Sequence, residues 1–412
     1  MDNLSHSLAG LAAGELVHRS LPQEADAERN QLRRRLLLTV CWLGSNFPDL
    51  DLVLTPLLPA PLGYLLHHRG HTHTLLYALP QALLLWGLIW LLWPSARMLL
   101  KKSGSARLGF ALVLVIGFGL HLLMDYLNSY GIHPFHPFDS RWLYGDMVYI
   151  VEPVFWVACG IPLFMTIRRL WLKALFVALL FAPILFFTIR EFLPWTSLFA
   201  LAIVAFVLGA SQLKAGARGR SGLILAAIVS LAFVGIQGFA SGQAKRAVAT
   251  SLTGMDPASR LLDVSLSSFP GNPLCWNFVS VESNESAGTY RLRRGVLSVA
   301  PGLLPVSGCP AALAGRGAEQ EARPAIAFLL QEEGKLKTLR DLKIENCHFE
   351  AWLRFARAPS LTASEAADLR FASSPRGNFT SFRFDEFKQR ECPRLVPQWD
   401  FPRSDLLKPT AP

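Results

Sequence analysis

The chain has 412 residues, 51% of them hydrophobic and only 17% charged, with a formal net charge of +10. Soluble domains carry about a quarter charged residues, so a water-soluble protein over the whole length is excluded. The basic excess lies largely in short loops between apolar runs, including Lys101, Lys102, Arg168, Arg169, Arg218 and Arg220; with no zinc-finger spacing and no arginine-rich arm, this pattern signals membrane topology rather than nucleic-acid binding.

Taken in chain order, Met1–Ala13 has neither a basic n-region nor a cleavage site after an apolar run, and does not read as a removable signal peptide. Leu4–Val17 is a small-residue helix. Leu36–Leu43 is a short apolar run ending in Asn46-Phe47-Pro48-Asp49. Both are expected as half-spans or re-entrant pieces, which a membrane protein tolerates where they line a cavity. Five runs are long enough to cross the roughly 30 Å hydrocarbon layer: Leu75–Trp93, Leu108–Met124, Trp171–Ile189, Trp195–Leu213 and Leu223–Gly242. A sixth, Val148–Ile167, is interrupted by Glu152 and Pro153.

Orientation follows from the loops. Arg33–Arg35, Arg97–Arg107, Arg168–Lys173 and Lys214–Arg220 are basic, whereas Asn128–Met147 and Arg190–Pro194 are not. The positive-inside rule places the basic loops in the cytoplasm and the tail outside. The expected fold class is therefore mainly α: a polytopic helical membrane domain over residues 1–244, with six to eight helical segments, followed by a soluble, strand-rich α+β domain over residues 245–412.

In the tail, Cys275–Val281 and Thr289–Val299 are rich in β-branched and aromatic residues and flank a polar stretch, as a hairpin does. Ala367–Phe371 and Phe379–Phe384 read as further strands, and Glu319–Leu330 as a short helix. Four of the six cysteines, Cys275, Cys309, Cys347 and Cys392, lie here. An even number on an oxidising side suits two disulfides, with three pairings open.

Nine of the ten histidines precede residue 137, grouped with aspartates in four patches. His121 and Asp125 are four apart, so on a helix they share one face. They close an apolar span, where ionisable groups are costly. Imidazole and carboxylate suit zinc, manganese or iron; the plain alternative is an intrahelical hydrogen bond. His71 and His73 alternate, and on an extended segment two such imidazoles could grip one ion. Asp49 and Asp51 share that spacing after Pro48, where an ordinary capping turn is the alternative. His6 alone would signify packing. On the inferred topology, His6, Asp49, His71 and Asp125 all fall at the outer membrane face, which favours one shared site.

The order HSLAG, N-x-PD-x-D, HRG-x-TH and H-x-x-x-D resembles the YdjM-type family of LexA-regulated inner-membrane metal-dependent hydrolases, over Met1 to Phe138. The segment Phe269-Pro-Gly-Asn-Pro-Leu-Cys-Trp276 looks like that family's soluble extension. More distantly, the pattern is similar to the zinc phospholipase C and P1-nuclease group, although a downstream H-x-x-x-E is missing. The resemblance implies a multi-pass inner-membrane hydrolase. Its divalent metal, zinc or manganese, would be held by His6, Asp49, His71, His121 and Asp125, with His133 a further candidate. Asp51 or His73 would serve as general base or additional ligand, and Arg69 would neutralise a phosphate-like group. The expected partners are the lipid bilayer and a phosphoester or lipid-linked substrate at the outer leaflet. The alternative is a metal-binding or transport protein without catalysis. Transport fits poorly, because the later spans hold almost no ionisable residues.

Overall fold

A computed structural model describes residues 1–216, 219–314, 321–322, 325–371 and 378–408. Arg218, part of the last basic loop, lies outside the described residues. The described chain packs as two units.

The first unit comprises Met1–Leu50, Thr72–Asn128 and Val148–Ile236. Its helices are α1 (Asn3–Ser20), α2 (Ala27–Gly44), α4 (Leu75–Leu92), α5 (Pro94–Lys102), α6 (Gly104–Tyr126), α7 (Pro153–Met165), α8 (Leu170–Ile189), α9 (Trp195–Ala215) and the first part of α10 (Ser221–Met255); α3 (Leu62–His67) belongs to the second unit. Side-chain oxygens start several of them. Asp26 accepts from Arg29 N (2.7 Å), Thr74 from Tyr77 N (3.1 Å) and Ser103 from Ala106 N (3.0 Å), each satisfying a first-turn N–H. Among the described residues, six helices are long and apolar enough to cross a membrane: Ala27–Leu57 taken as one segment, α4, α6, α8, α9 and α10. Their outward residues, such as Leu92, Val115, Leu170 and Phe206, are exposed, the reverse of a soluble helix.

The expected sixth span, Val148–Ile167, is corrected. Glu152 caps the helix by accepting from Val154 N (3.2 Å), and Pro153 starts it, leaving the 13 residues of α7. At 1.5 Å per residue that is about 20 Å, short of the hydrocarbon layer. The helix is instead buried in the unit, with Trp156, Val157 and Ile161 packed against Leu180, Ile184 and Leu208.

Close approach of α1, α2 and α6 builds the heart of the first unit. A Cβ on Gly10 would stand 2.9 Å from the Cys41 carbonyl, and one on Gly117 would stand 3.0 Å from it. Glycine at these two points lets three backbones meet, as small residues do in membrane bundles.

The second unit contains Asp51–His71, Ser129–Met147 and Gln237–Pro412. Two segments of the first half, Asp51–His71 and Ser129–Met147, group with the tail, and the division falls within α10. Strands β1 (Arg260–Phe269), β2 (Asn272–Asn284), β3 (Thr289–Ser298), β4 (Glu321–Ala322) and β5 (Ile326–Lys335) form an antiparallel sheet in the order β1-β2-β3-β5-β4. The expected hairpin is β2–β3, with Val279 opposite Arg294 and Val281 opposite Leu292. Gly288 turns it at φ +65°.

Three tail expectations change. Over the expected helix Glu319–Leu330, residues 319–320 and 323–324 lie outside the described residues, and Ile326 onward is strand: its apolar run pairs with β3 through Ile326↔Leu297 and Phe328↔Gly295. Ala367–Phe371 is only partly strand, ending at Asp368, and Phe379–Phe384 contributes only Phe382–Arg383. The four cysteines pair Cys275–Cys309 and Cys347–Cys392.

Salt bridges inside this unit fasten the Ser129–Met147 loop to the tail. Arg357 grips Asp146 with two nitrogens (2.8 and 2.9 Å) and Asp263 with two more bonds (2.6 and 2.9 Å), while stacking on Tyr144. Burial alone would push the Asp263 carboxyl upward. The Arg357 charge and hydrogen bonds override it and hold that carboxyl well below the usual range.

Candidate metal centre

Four side chains of the first unit converge. The last turns of α6 supply His121 and Asp125, one helical turn apart. Asp49 comes from the 3-10 helix Phe47–Leu57, and His73 from the 3-10 turn His71–His73 just before α4. One ligand atom from each lies within 4.8 Å of all the others, and all four residues are buried. His73 Nε2 is 2.9 Å from His121 Nε2, 3.1 Å from Asp125 Oδ2 and 3.5 Å from Asp49 Oδ1. His121 Nε2 is 3.6 Å from both Asp49 Oδ1 and Asp125 Oδ2.

These separations can be compared with a coordination shell. Four ligands at about 2.0–2.1 Å from a tetrahedral ion stand about 3.4 Å from one another. The five measured edges, 2.9 to 3.6 Å, bracket that value. A hydrogen-bonded pair would instead join two atoms and leave the others directed elsewhere.

The outer contacts set the tautomers. His121 Nδ1 lies 2.8 Å from the Ser45 carbonyl, which only accepts, so Nδ1 carries the proton and Nε2 offers its lone pair inward. His73 Nδ1 lies 3.0 Å from Thr72 Oγ1. Orientation of ligating imidazoles through the second nitrogen is the usual support of a metal site. His6 stands behind the cluster: its Nε2 is 3.3 Å from Asp125 Oδ1, and its ring stacks on His121 at 4.2 Å. The Met1 amino group also lies against Asp125 Oδ1.

Of the six expected ligands, the structure brings Asp49, His121 and Asp125 together, with His6 touching Asp125. His71 and His133 are not in the group. The expected alternation of His71 and His73 assumed an extended segment. A 3-10 turn advances about 120° per residue, so residues two apart diverge and only His73 joins. The same geometry parts Asp49 from Asp51.

In the second unit, Asp51 accepts from Arg69 N (3.0 Å) and contacts His68 Nδ1 (3.0 Å). Arg69 adopts φ +58° and lays its guanidinium over Tyr130 at 4.6 Å. His133 is sandwiched between Trp142 (3.8 Å) and Trp399 (4.3 Å), and burial pushes its pKa down to about 3. His71 packs edge-on against His136 and beside Trp399. Sequence reading missed Ser45 and Thr72. The first acts through a backbone carbonyl, which leaves no compositional trace.

Residues 1–193 match the YdjM inner membrane protein family. The matched region includes His6, Asp49, His73, His121 and Asp125, and it ends before the Phe269–Trp276 segment. Over 158 residues the chain is 25% identical to a Bacillus subtilis (strain 168) protein named "Uncharacterized protein YfhP". That alignment covers 38% of this chain and 44% of the relative, so the chain spans less than half of the relative's length. No solved structure matches. Family match and six apolar helices together identify a multi-pass inner membrane protein.

Proposed function

We propose that the chain is a membrane-bound metal-dependent hydrolase whose ion is held by Asp49, His73, His121 and Asp125. One observation carries the metal reading: four donor atoms of the kinds zinc or manganese accept converge at separations that fit one ion. Two carboxylates would balance the charge of a divalent ion in a buried place, where an unpaired charge is costly. A divalent ion held there supplies a bound water whose pKa falls toward about 7. His6, against Asp125 Oδ1, holds that carboxylate in place. His73, expected as base or ligand, takes the ligand role in this reading. The hydrolase class and the phosphoester or lipid-linked substrate rest on the family resemblance. The paired tail cysteines favour an outward tail, since disulfides persist on the oxidising side.

A second reading is favoured by the closure of the set. Four protein donors complete a tetrahedral shell, as in structural sites, whereas catalytic zinc keeps a position open. In that case the protein binds metal without catalysis.

Purification in detergent without chelators, with zinc or manganese in the medium, should yield about one ion per chain. The loaded protein should then cleave members of a phosphoester panel, and the ion-stripped protein should not. Stoichiometric metal without turnover would select the non-catalytic reading. Absence of metal would remove both.

A further inference from the structure

Between two spans, the first unit carries a helix that is not itself a span. Over its 18 residues α4 rises about 27 Å, and α6 over its 23 about 35 Å, each close to the roughly 30 Å of hydrocarbon. The nine residues of α5, which join them, therefore lie at one membrane boundary. The two sides of α5 differ. Ala96, Leu99 and Leu100, spaced three and four apart, are buried in one apolar cluster with Leu37, Ile89 and Phe110. Met98, Lys101 and Lys102 are exposed, and the two lysines follow Met98 by three and four residues, as its neighbours on the helix surface. Lys101 Nζ stands 5.6 Å over the Trp90 ring. Arg107 turns back from α6 and donates to the last carbonyls of α5, those of Leu100 (3.0 Å) and Lys101 (3.3 Å).

Nothing nearby balances these cations. The sequence has no Asp or Glu between Asp51 and Asp125. Glu24, which accepts from Ser103 Oγ beside α5 (2.8 Å), is engaged by the buried guanidinium of Arg33 (3.0 Å). Among the described residues, no ion pair joins a carboxylate to Arg97, Lys101, Lys102 or Arg107, whereas Arg19, Arg33 and Arg34 of the same unit are all paired. Arg97 and Lys101 are four apart, so their like charges repel along the helix. A topology signal asks only for positive charge in a loop. Here the charge is fixed on a folded, packed helix, and the repulsion is left for an anion from outside the chain to relieve. Apolar surface adjoins it directly: Leu91 (69% exposed) and Leu92 (77%) close α4, and Leu108 (55%) follows Arg107 in α6.

We infer that α5 and the adjoining ends of α4 and α6 form a binding surface for an anionic phospholipid. The headgroup phosphate meets Arg97, Lys101 and Lys102, and the acyl chains lie along Leu92 and Leu108. Clustered basic residues on an amphipathic helix beside a span are suited to such headgroups. The occupant is a lipid rather than a free anion because the cations stand directly on surface that already faces acyl chains. The candidate metal centre has no part in this assignment.

The test is native mass spectrometry of the full chain in detergent, titrated with phosphatidylglycerol or with phosphatidylcholine of the same acyl chains. Each basic residue at an anionic surface is worth about fivefold in affinity, so the parent should bind the first phosphatidylglycerol at least about tenfold more tightly. Lys101→Gln/Lys102→Gln should bring that preference below about threefold, and Lys101→Arg/Lys102→Arg should keep it. Arg168→Gln/Arg169→Gln removes the same charge from another exposed basic loop and should also keep it. An equal loss in that variant overturns a defined surface and leaves net charge alone as the cause. Full preference in the glutamine variant of the lysines, or no preference in the parent, overturns the assignment outright. Glycerol phosphate at the concentration of the lipid should displace nothing, and displacement overturns the lipid as occupant. A second measurement keeps every cation in place. Met98→Cys carries a bimane label in neutral nanodiscs, with the parent chain as the blank for Cys41 and Cys159. At equal mole fraction, chain-spin-labelled phosphatidylglycerol should quench it at least about twofold more than the phosphatidylcholine counterpart. Equal quenching overturns the proposal even where the glutamine variant fails to purify.

Discussion

His121→Ala, Asp125→Ala and His73→Ala each delete one donor from a set of four whose measured edges run from 2.9 to 3.6 Å. Because the atoms converge on one point, each donor completes a shell that the other three leave open. Loss of an outer contact already costs 10- to 100-fold in metal affinity, so loss of a donor itself should cost 100-fold or more, about 2.7 kcal/mol. Thermal or denaturant unfolding with and without zinc reads this through linkage. At a zinc concentration 1,000 times the parent's Kd, binding stabilises the parent by about 4.1 kcal/mol, and a 100-fold weaker variant retains about 1.4 kcal/mol. Without metal the variants should insert and purify like the parent, because the spans are held by apolar packing. His18→Ala, at the other end of α1 from His6, should keep the full zinc response. Variants that bind zinc with parental affinity and lose only metal-independent stability would refute the centre and leave a structural His–Asp pairing.

Three further outcomes are expected. Thr72→Val removes the hydroxyl 3.0 Å from His73 Nδ1 and should weaken zinc binding 10- to 100-fold while leaving one site per chain, as read by competition with a chelating dye. Replacing both Cys347 and Cys392 by Ser opens a loop of 45 residues; the chain-entropy relation gives a loss of about 4 kcal/mol in tail stability, measured by urea unfolding followed through tryptophan fluorescence. Arg357→Met leaves Asp146 and Asp263 without their buried partner and should cost about 3–5 kcal/mol. The pH sign follows from Asp263, whose folded pKa lies below its unfolded value: its contribution is present above about pH 4 and disappears as pH falls toward the folded pKa. Tail stability should thus be flat from pH 5 to 8 and decline in acid, and a decline that begins near neutrality would count against Asp263 as the titrating group.

Much of the architecture was written in local pattern. Apolar runs of span length mark α4, α6, α8, α9 and α10 because hydrocarbon admits little else. The spacing of His121 and Asp125 put both on one face because α6 is a regular helix. Alternating β-branched residues marked β2–β3 because a two-faced sheet repeats every second residue. Where the backbone was irregular, the pattern could not be read. His71–His73 and Phe47–Leu57 are 3-10 segments, so pairs two apart diverge: His73 and Asp49 enter the cluster, and His71 and Asp51 go elsewhere. The strand at Ile326–Lys335 read as helix because a short apolar run fits either period, and pairing with β3 settled it. Convergence on a single point was decided only by tertiary structure. It depends on Gly10 and Gly117 letting three backbones meet and on a Ser45 carbonyl that fixes one imidazole, contacts between residues far apart in the chain that no local spacing encodes.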